Sequence, residues 1–221
     1  MAEPASIGGD LVRAFEGAWD AIRREHPEVP PVVIVTGQGS SRRRGVSLRL
    51  GQFAAARWQP GAGELAEVMV GGEGLARGGR EVLGTLFHEA AHALAAERKI
   101  NDTSREGRYH NRRFKALGEE LGLTVERHEL LGWAITEVRA STATAYAPTI
   151  AALERAIVAY RDREQPRPEQ AHPGGAVMAI CGCGRRIRIA RSVLARGAIV
   201  CGVCSQPFGT NTTHRQAAIG A

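Results

Sequence analysis

No cysteine precedes residue 181, no acidic residue follows residue 169, and Lys99 and Lys115 are the only lysines among 221 residues. The first absence argues against a secreted disulfide scaffold, which would spread its cysteines through the fold. The second concentrates charge. Residues 1–169 hold 23 Lys+Arg against 23 Asp+Glu, whereas residues 170–221 hold six arginines and no acid, so the net charge of +6 belongs to the C-terminal quarter. Such a pole attracts polyanions, nucleic acid first among them. A general preference for arginine explains the rarity of lysine but not the missing acids. Long apolar runs are also lacking: "VVIV" is the longest strongly apolar stretch, far short of a membrane span. "MAEPASIGGD" carries an acid and no apolar segment, unlike a secretory leader. The expectation is a soluble cytoplasmic protein, open to association with the nucleoid, with no membrane partner and no small-molecule cofactor.

What is present is enough for a core: 43% of residues are hydrophobic, and the length suits one moderate domain plus a small module. Ile7, Leu11, Phe15, Trp19 and Ile22 recur at helical spacing over 5–26, and His26-Pro27 ends that pattern. "PPVVIVTG", "GQFAAARWQ" and "GELAEVMVGG" read as three strands, separated by the basic loop "SSRRRG" and the turn "PGAG". A helix is predicted from Gly79 to about Lys99, followed by the polar loop "NDTSREGRY". A second runs from about Asn111 to Leu121, with Phe114, Leu117 and Leu121 on one face and Gly122 as its stop. Residues 123–147 show no decisive period. A connecting helix is predicted over 148–163, then a linker over 164–176, a cysteine-bearing module over 177–210 and a tail over 211–221. The first domain would therefore span 1–147.

The first helix after the strands contains "LFHEAAHAL". Residues i and i+4 project from nearly the same side of a helix, so His88 and His92 can close on one ion. Glu89 stands beside them, within reach of a water on that ion. Zinc accepts neutral imidazole nitrogens and lowers the pKa of its water toward about 7, and a neighbouring carboxylate can take up the proton. This is the His-Glu-x-x-His arrangement of metallopeptidases, with Glu89 as the catalytic base and then acid. A lone match is only suggestive, because an ordinary solvated helix face can carry the same residues; its mid-helix position among apolar neighbours strengthens it.

Two histidines leave a catalytic zinc one protein ligand short. A metzincin would need Gly and His three and six residues after His92, where Ala95 and Arg98 stand. His110, at the start of the next predicted helix, is the leading third ligand. Glu119 or Glu120 would serve in a gluzincin-like site, and Glu106 and His128 are weaker candidates. Tyr109, Arg112 and Arg113 lie near enough in sequence to be considered for stabilising an oxyanion.

"LGTLFHEAAHAL" followed by "REGRYHNRRFKAL" resembles the SprT-like metallopeptidases, which include the Spartan proteases. The resemblance covers most of 30–122 and 177–208. It implies an α+β, zincin-like catalytic domain, a short sheet plus active-site helices, followed by a C-terminal zinc ribbon. It also implies that His88, His92 and His110 hold the catalytic zinc, with Phe114 as the large apolar residue four positions after the third histidine. The family's usual Gly-Pro after that histidine is Asn111-Arg112 here, which bears on the shape of the substrate cleft.

All four cysteines fall in two close pairs, Cys181-x-Cys183 and Cys201-x-x-Cys204. Pairs of this kind on turns place four thiolates around a structural zinc, and about 30 residues need such a metal to fold. The first pair is one residue tighter than a C-x-x-C knuckle. Between the pairs, Ile187 and Ile189 alternate with Arg186 and Arg188, so one strand face would pack inward while the other presents guanidiniums. Arg185, Arg191 and Arg196 add to them. Arginine forks bind phosphate oxygens, and contacts of this kind are independent of base sequence. Stacking aromatics are scarce there, Phe208 being the only one.

The expected activity is zinc-dependent endopeptidase cleavage of DNA-associated proteins. Two alternatives differ in class: a non-catalytic DNA-binding zinc protein, and a peptidase dedicated to one regulatory partner.

Overall fold

The computed structural model describes residues 6–41, 48–59, 64–164 and 176–210. The chain divides into two compact units, Met1–Pro166 and Arg167–Ala221.

The first unit opens with α1 (Ile7–Glu25), which buries Phe15, Trp19 and Ile22 on one face. The Trp19 indole N–H donates to the Pro30 carbonyl at 3.0 Å and ties the helix to the start of the next strand. Strands β1 (Val32–Gly37), β2 (Gly51–Trp58) and β3 (Leu65–Gly71) form a sheet in the order β1-β3-β2. β1 runs parallel and β2 antiparallel to β3, which leaves β2 on the edge of this sheet. A 3-10 turn (Gly72–Arg77) leads into α2 (Gly79–Glu97).

α2 is apolar nearly all round, with Val82, Leu83, Leu86, Phe87, Ala90, Ala91, Ala93 and Leu94 buried, as a helix central to its domain must be. Its N-terminus is held from another helix: the Glu154 carboxylate accepts from the Gly79 N–H at 2.6 Å, placing negative charge at the positive end of the dipole. At the other end, the Arg98 guanidinium pairs with both Glu28 and Glu120.

After α2 come β4 (Thr103–Ser104), β5 (Tyr109–His110), α3 (Arg112–Glu120), β6 (Leu123–His128) and β7 (Gly132–Val138). The strands form a second sheet in the order β4-β5-β7-β6. The region 123–147, without decisive period in sequence, is thus a β6–β7 hairpin followed by the short α4 (Ala140–Ala145). Its pattern is faint because β7 buries only Gly132 and Val138, at its two ends.

The helix expected over 148–163 is present but shorter. α5 (Ala147–Ala156) ends at Ile157, and the chain then leaves helical geometry to run along the 3-10 turn. There the Arg161 N–H donates to the Gly72 carbonyl at 3.0 Å. Nor is α5 a connector: Leu153 is fully buried in the core of the first unit, and Glu154 caps α2. The first unit therefore extends past residue 147.

The second unit contains β8 (Ala176–Ile180) paired antiparallel with β9 (Arg186–Ala190), and the four-residue α6 (Arg191–Leu194). The protein is mixed α+β with small sheets. Most of the expected linker, all of the expected tail and Arg42–Gly45 of the basic loop lie outside the described residues. Among the described residues, no helix is long and apolar enough to cross a membrane.

Candidate metal centres

His88 and His92 stand one turn apart on α2, and His110 comes from a separate element. The sequence suggests a helix start for His110; in the structure it lies in β5, two residues ahead of α3. There it pairs with Thr103 of β4 on one edge and Gly132 of β7 on the other. Backbone pairing on both sides holds it more firmly than a helix terminus would.

The three imidazole centroids are 5.1, 5.0 and 5.0 Å apart, a nearly equilateral triangle. One nitrogen from each ring lies within 4.8 Å of the others, and the Nε2 atoms of His92 and His110 are 3.1 Å apart. The Phe114 ring sits 4.7, 4.7 and 4.5 Å from His88, His92 and His110, on the axis of the triangle, and is fully buried. It is the apolar floor of the site.

The opposite ring nitrogens are engaged elsewhere. His92 Nδ1 lies 2.5 Å from Asp102 Oδ2, His88 Nδ1 lies 3.1 Å from Thr136 Oγ1, and His110 Nδ1 lies 3.3 Å from the Leu131 carbonyl. A carboxylate and a carbonyl can only accept, so His92 and His110 each carry a proton on Nδ1, which turns Nε2 toward the centre of the triangle as the atom available to an ion. Two lone pairs facing across 3.1 Å repel unless a proton or a metal ion lies between them. Tetrahedral zinc with its usual nitrogen distances would set neighbouring ligand atoms about 3.3 Å apart. The donor set and its spacing therefore fit that ion. Among the described residues no Asp, Glu or Cys joins the three histidines, so a four-coordinate ion held there would keep one position for a non-protein ligand.

Burial, then the nearby His92 and His110, holds His88 well below the usual histidine range. His110 is also lowered, by burial and then His92, against opposing effects of the Leu131 carbonyl and Asp102. Both shifts favour the neutral form that a metal requires.

Glu89 is buried, and the Phe53 N–H of β2 donates to its carboxylate. Burial raises its pKa to about 7, against the pull of His92, the Phe53 N–H and Arg49. Space for the carboxylate depends on Gly51: a Cβ there would stand 2.5 Å from Glu89 Oε1 and 2.8 Å from Thr85 Cγ2.

The weaker ligand candidates have other partners. Glu106 pairs with Arg108, Glu119 with Lys115 and Glu120 with Arg98, while His128 Nδ1 accepts from the Leu130 and Leu131 N–H groups. Tyr109 packs on Gly132 and under Arg105, with its hydroxyl 3.5 Å from Arg127. Arg112 and Arg113 are exposed on the first turn of α3. Sequence reasoning missed Asp102, Thr136, Leu131 and Gly51. Only Asp102 offered a signal, as the one Asp between the second and third histidines.

In the second unit, the sulfurs of Cys181, Cys183, Cys201 and Cys204 all lie within 4.8 Å of one another, and none is in a disulfide. The Cys181–Cys183 and Cys183–Cys201 separations are 3.2 and 3.8 Å, the second matching and the first shorter than the roughly 3.8 Å edge of a zinc–tetrathiolate. The two turns match despite their unequal spacing. In each, a left-handed residue follows the second cysteine: Gly184 at φ 78° and Ser205 at φ 55°. In each, the first cysteine's carbonyl accepts from that residue's N–H, at 3.0 and 2.8 Å. The Cys204 and Val203 N–H groups lower the Cys201 thiol, which favours the thiolate.

Register places Val177 opposite Ile189 and Ala179 opposite Ile187 on one face of the β8–β9 pair; Met178 opposite Arg188 and Ile180 opposite Arg186 occupy the other. Arg185, Arg186, Arg188, Arg191 and Arg196 are all exposed.

No family model matches the chain, and neither the curated proteins nor the solved structures include a match to it.

Proposed function

We propose that the protein is a zinc-dependent endopeptidase of SprT-like, zincin-like design that acts on proteins associated with DNA. The supporting observation is the convergence of three imidazole nitrogens, with their outer nitrogens engaged, beside the buried Glu89 carboxylate. Zinc bound there would supply Lewis acidity and bring the pKa of a water toward neutrality. His88, His92 and His110 hold the ion with neutral rings. Glu89 takes the proton from the attacking water and passes it to the departing amine. Phe114 closes the rear of the site to solvent. β2, the edge strand above α2, offers an extended substrate chain a strand to pair with.

The four cysteines hold a second, structural zinc. The exposed arginines around them contact phosphate rather than bases and bring the enzyme to DNA-bound substrates.

Glu89→Gln tests the reaction. The variant should keep two zinc ions per chain and lose roughly 100- to 10,000-fold in the rate of cleaving a DNA-bound protein. An undiminished rate removes Glu89 from the chemistry. DNA binding by the wild type with no turnover under any condition would leave a non-catalytic DNA-binding zinc protein instead.

A further inference from the structure

We infer that Asp102, braced by Asn111, is a positioning residue that sets how tightly the three-histidine site holds its metal; the inference rests on the metal-site reading above. The three histidines differ in what holds their outer nitrogens. His88 meets a hydroxyl, His110 a backbone carbonyl, and only His92 a carboxylate, at 2.5 Å. A carboxylate fixes the tautomer and also pushes electron density through the ring, making Nε2 the stronger donor. Asp102 is well placed for this effect, because its side chain is only 13% exposed and water screens the interaction little. With neutral ligands a divalent ion would leave the centre at a charge of about +2, and Asp102 offsets half of that.

Asp102 follows α2 in a loop, so its carboxylate needs holding. Asn111 does this with three groups at once. Its N–H donates to the Asp102 carbonyl at 2.9 Å, and its Nδ2 donates to the Asn101 carbonyl at 2.8 Å. Its Oδ1 accepts from the Arg113 and Phe114 N–H groups at 2.7 and 3.4 Å, capping α3. One residue thus joins the loop behind His92, the strand that carries His110, and the helix that carries Phe114. This is also where the chain departs from the Gly-Pro of the family it resembles. A glycine at this position could not supply the same side-chain clamp.

The test uses the full chain, stripped of metal and titrated with cobalt(II). Thiolate-to-cobalt charge-transfer absorption reports the cysteine site, and the separate d–d bands of a nitrogen-ligated ion report the histidine site. Asp102→Asn keeps an acceptor of the same shape and removes the charge. It should weaken cobalt binding at the histidine site by about 10- to 100-fold and leave the cysteine site unchanged. Asn111→Ser keeps an oxygen to cap α3 but lacks the Nδ2 donor. It should weaken the same site several-fold while metal-free thermal melting falls by no more than a few degrees. Ring-nitrogen NMR of the metal-free wild type should show His92 protonated on Nδ1, a preference lost in Asp102→Ala. An Asp102→Asn affinity equal to wild type, with two sites present, would overturn this inference alone. A wild type that takes up cobalt only on its thiolates would overturn the metal-site reading together with it.

Discussion

At the scale of single residues, the site depends on what is absent as much as on what is present. Gly51 lies in an extended strand that any residue can adopt, so its role is to leave space. The Cβ of an alanine there would fall 2.5 Å from Glu89 Oε1, and the carboxylate end, being the flexible partner, is what would move. Gly51→Ala should therefore separate stability from activity. The expected loss of stability is about 1 kcal/mol, since one methyl is accommodated by a side-chain shift. The proposed peptidase activity should fall at least ten-fold, with the content of bound metal unchanged. Measuring zinc, thermal midpoint and cleavage rate on one preparation checks it; full activity would show that Glu89 does not need its present position. His88, Glu89 and His92 were legible in sequence because three chemically distinctive residues recur at a spacing that only a helix makes meaningful. Gly51 and Thr136 were not: a glycine at the start of a strand and a threonine within one have ordinary local explanations. Their roles come from elements distant in sequence.

At the scale of elements, α1 and α3 followed their apolar periods, and β1–β3 and α2 fell where the sequence placed them, whereas the segment after α5 did not. Ile157, Val158 and Tyr160 extend a helical reading, yet Val158 and Tyr160 are exposed and the chain turns instead toward the 3-10 helix. There it meets a buried acid remote in sequence. The Glu73 side chain is 1% exposed and accepts from the Gly39 N–H at 2.8 Å, the Ser40 N–H at 3.1 Å and the Ser40 hydroxyl at 2.5 Å, with Arg161 Nε at 3.4 Å. It joins the end of β1, the 3-10 turn and the segment after α5, a convergence no local period reveals. Burial alone would raise its pKa, but the Ser40 hydroxyl and the Gly39, Glu73 and Ser40 N–H groups outweigh burial and hold it at about 2 rather than 4.5. A folded-state pKa below the unfolded value stabilises the fold fully above about 4.5, and that contribution is lost as pH falls toward 2. Glu73→Gln places an amide N–H₂ among donors and should destabilise by roughly 1–3 kcal/mol at neutral pH. The gap between wild type and variant should then narrow at each step below about pH 4.5, because glutamine does not titrate. Urea denaturation of both chains at a series of pH values would show this; a gap constant from neutral pH to pH 3 would mean the carboxylate's charge contributes nothing there.

At the scale of the whole molecule, the two units draw stability from different sources. The first buries a continuous apolar cluster that includes Phe15, Ile22, Val68, Leu83, Phe87, Phe114, Leu123 and Leu153. Among the described residues of the second, only Ala179, Cys181 and Cys201 are buried. A two-stranded pair with so little apolar interior does not hold in water, so on the proposed reading metal binding and folding become one event there. The same unit carries the whole excess of positive charge, with no acid after residue 169 to offset it. A strong chelator at neutral pH should therefore unfold the second unit and abolish DNA affinity together. The first unit should keep its cooperative melting transition, shifted down by the loss of its own ion. Before chelation, DNA binding should weaken with salt. If the five arginines between 185 and 196 make all the phosphate contacts, the slope of log affinity against log salt should be no steeper than about −4.5, from roughly −0.9 for each phosphate neutralised. A steeper slope would require cations beyond these five. DNA affinity that survives chelation while the cysteine-bound metal is gone would move the nucleic-acid contact away from the β8–β9 pair altogether, and the charge asymmetry would then need another cause.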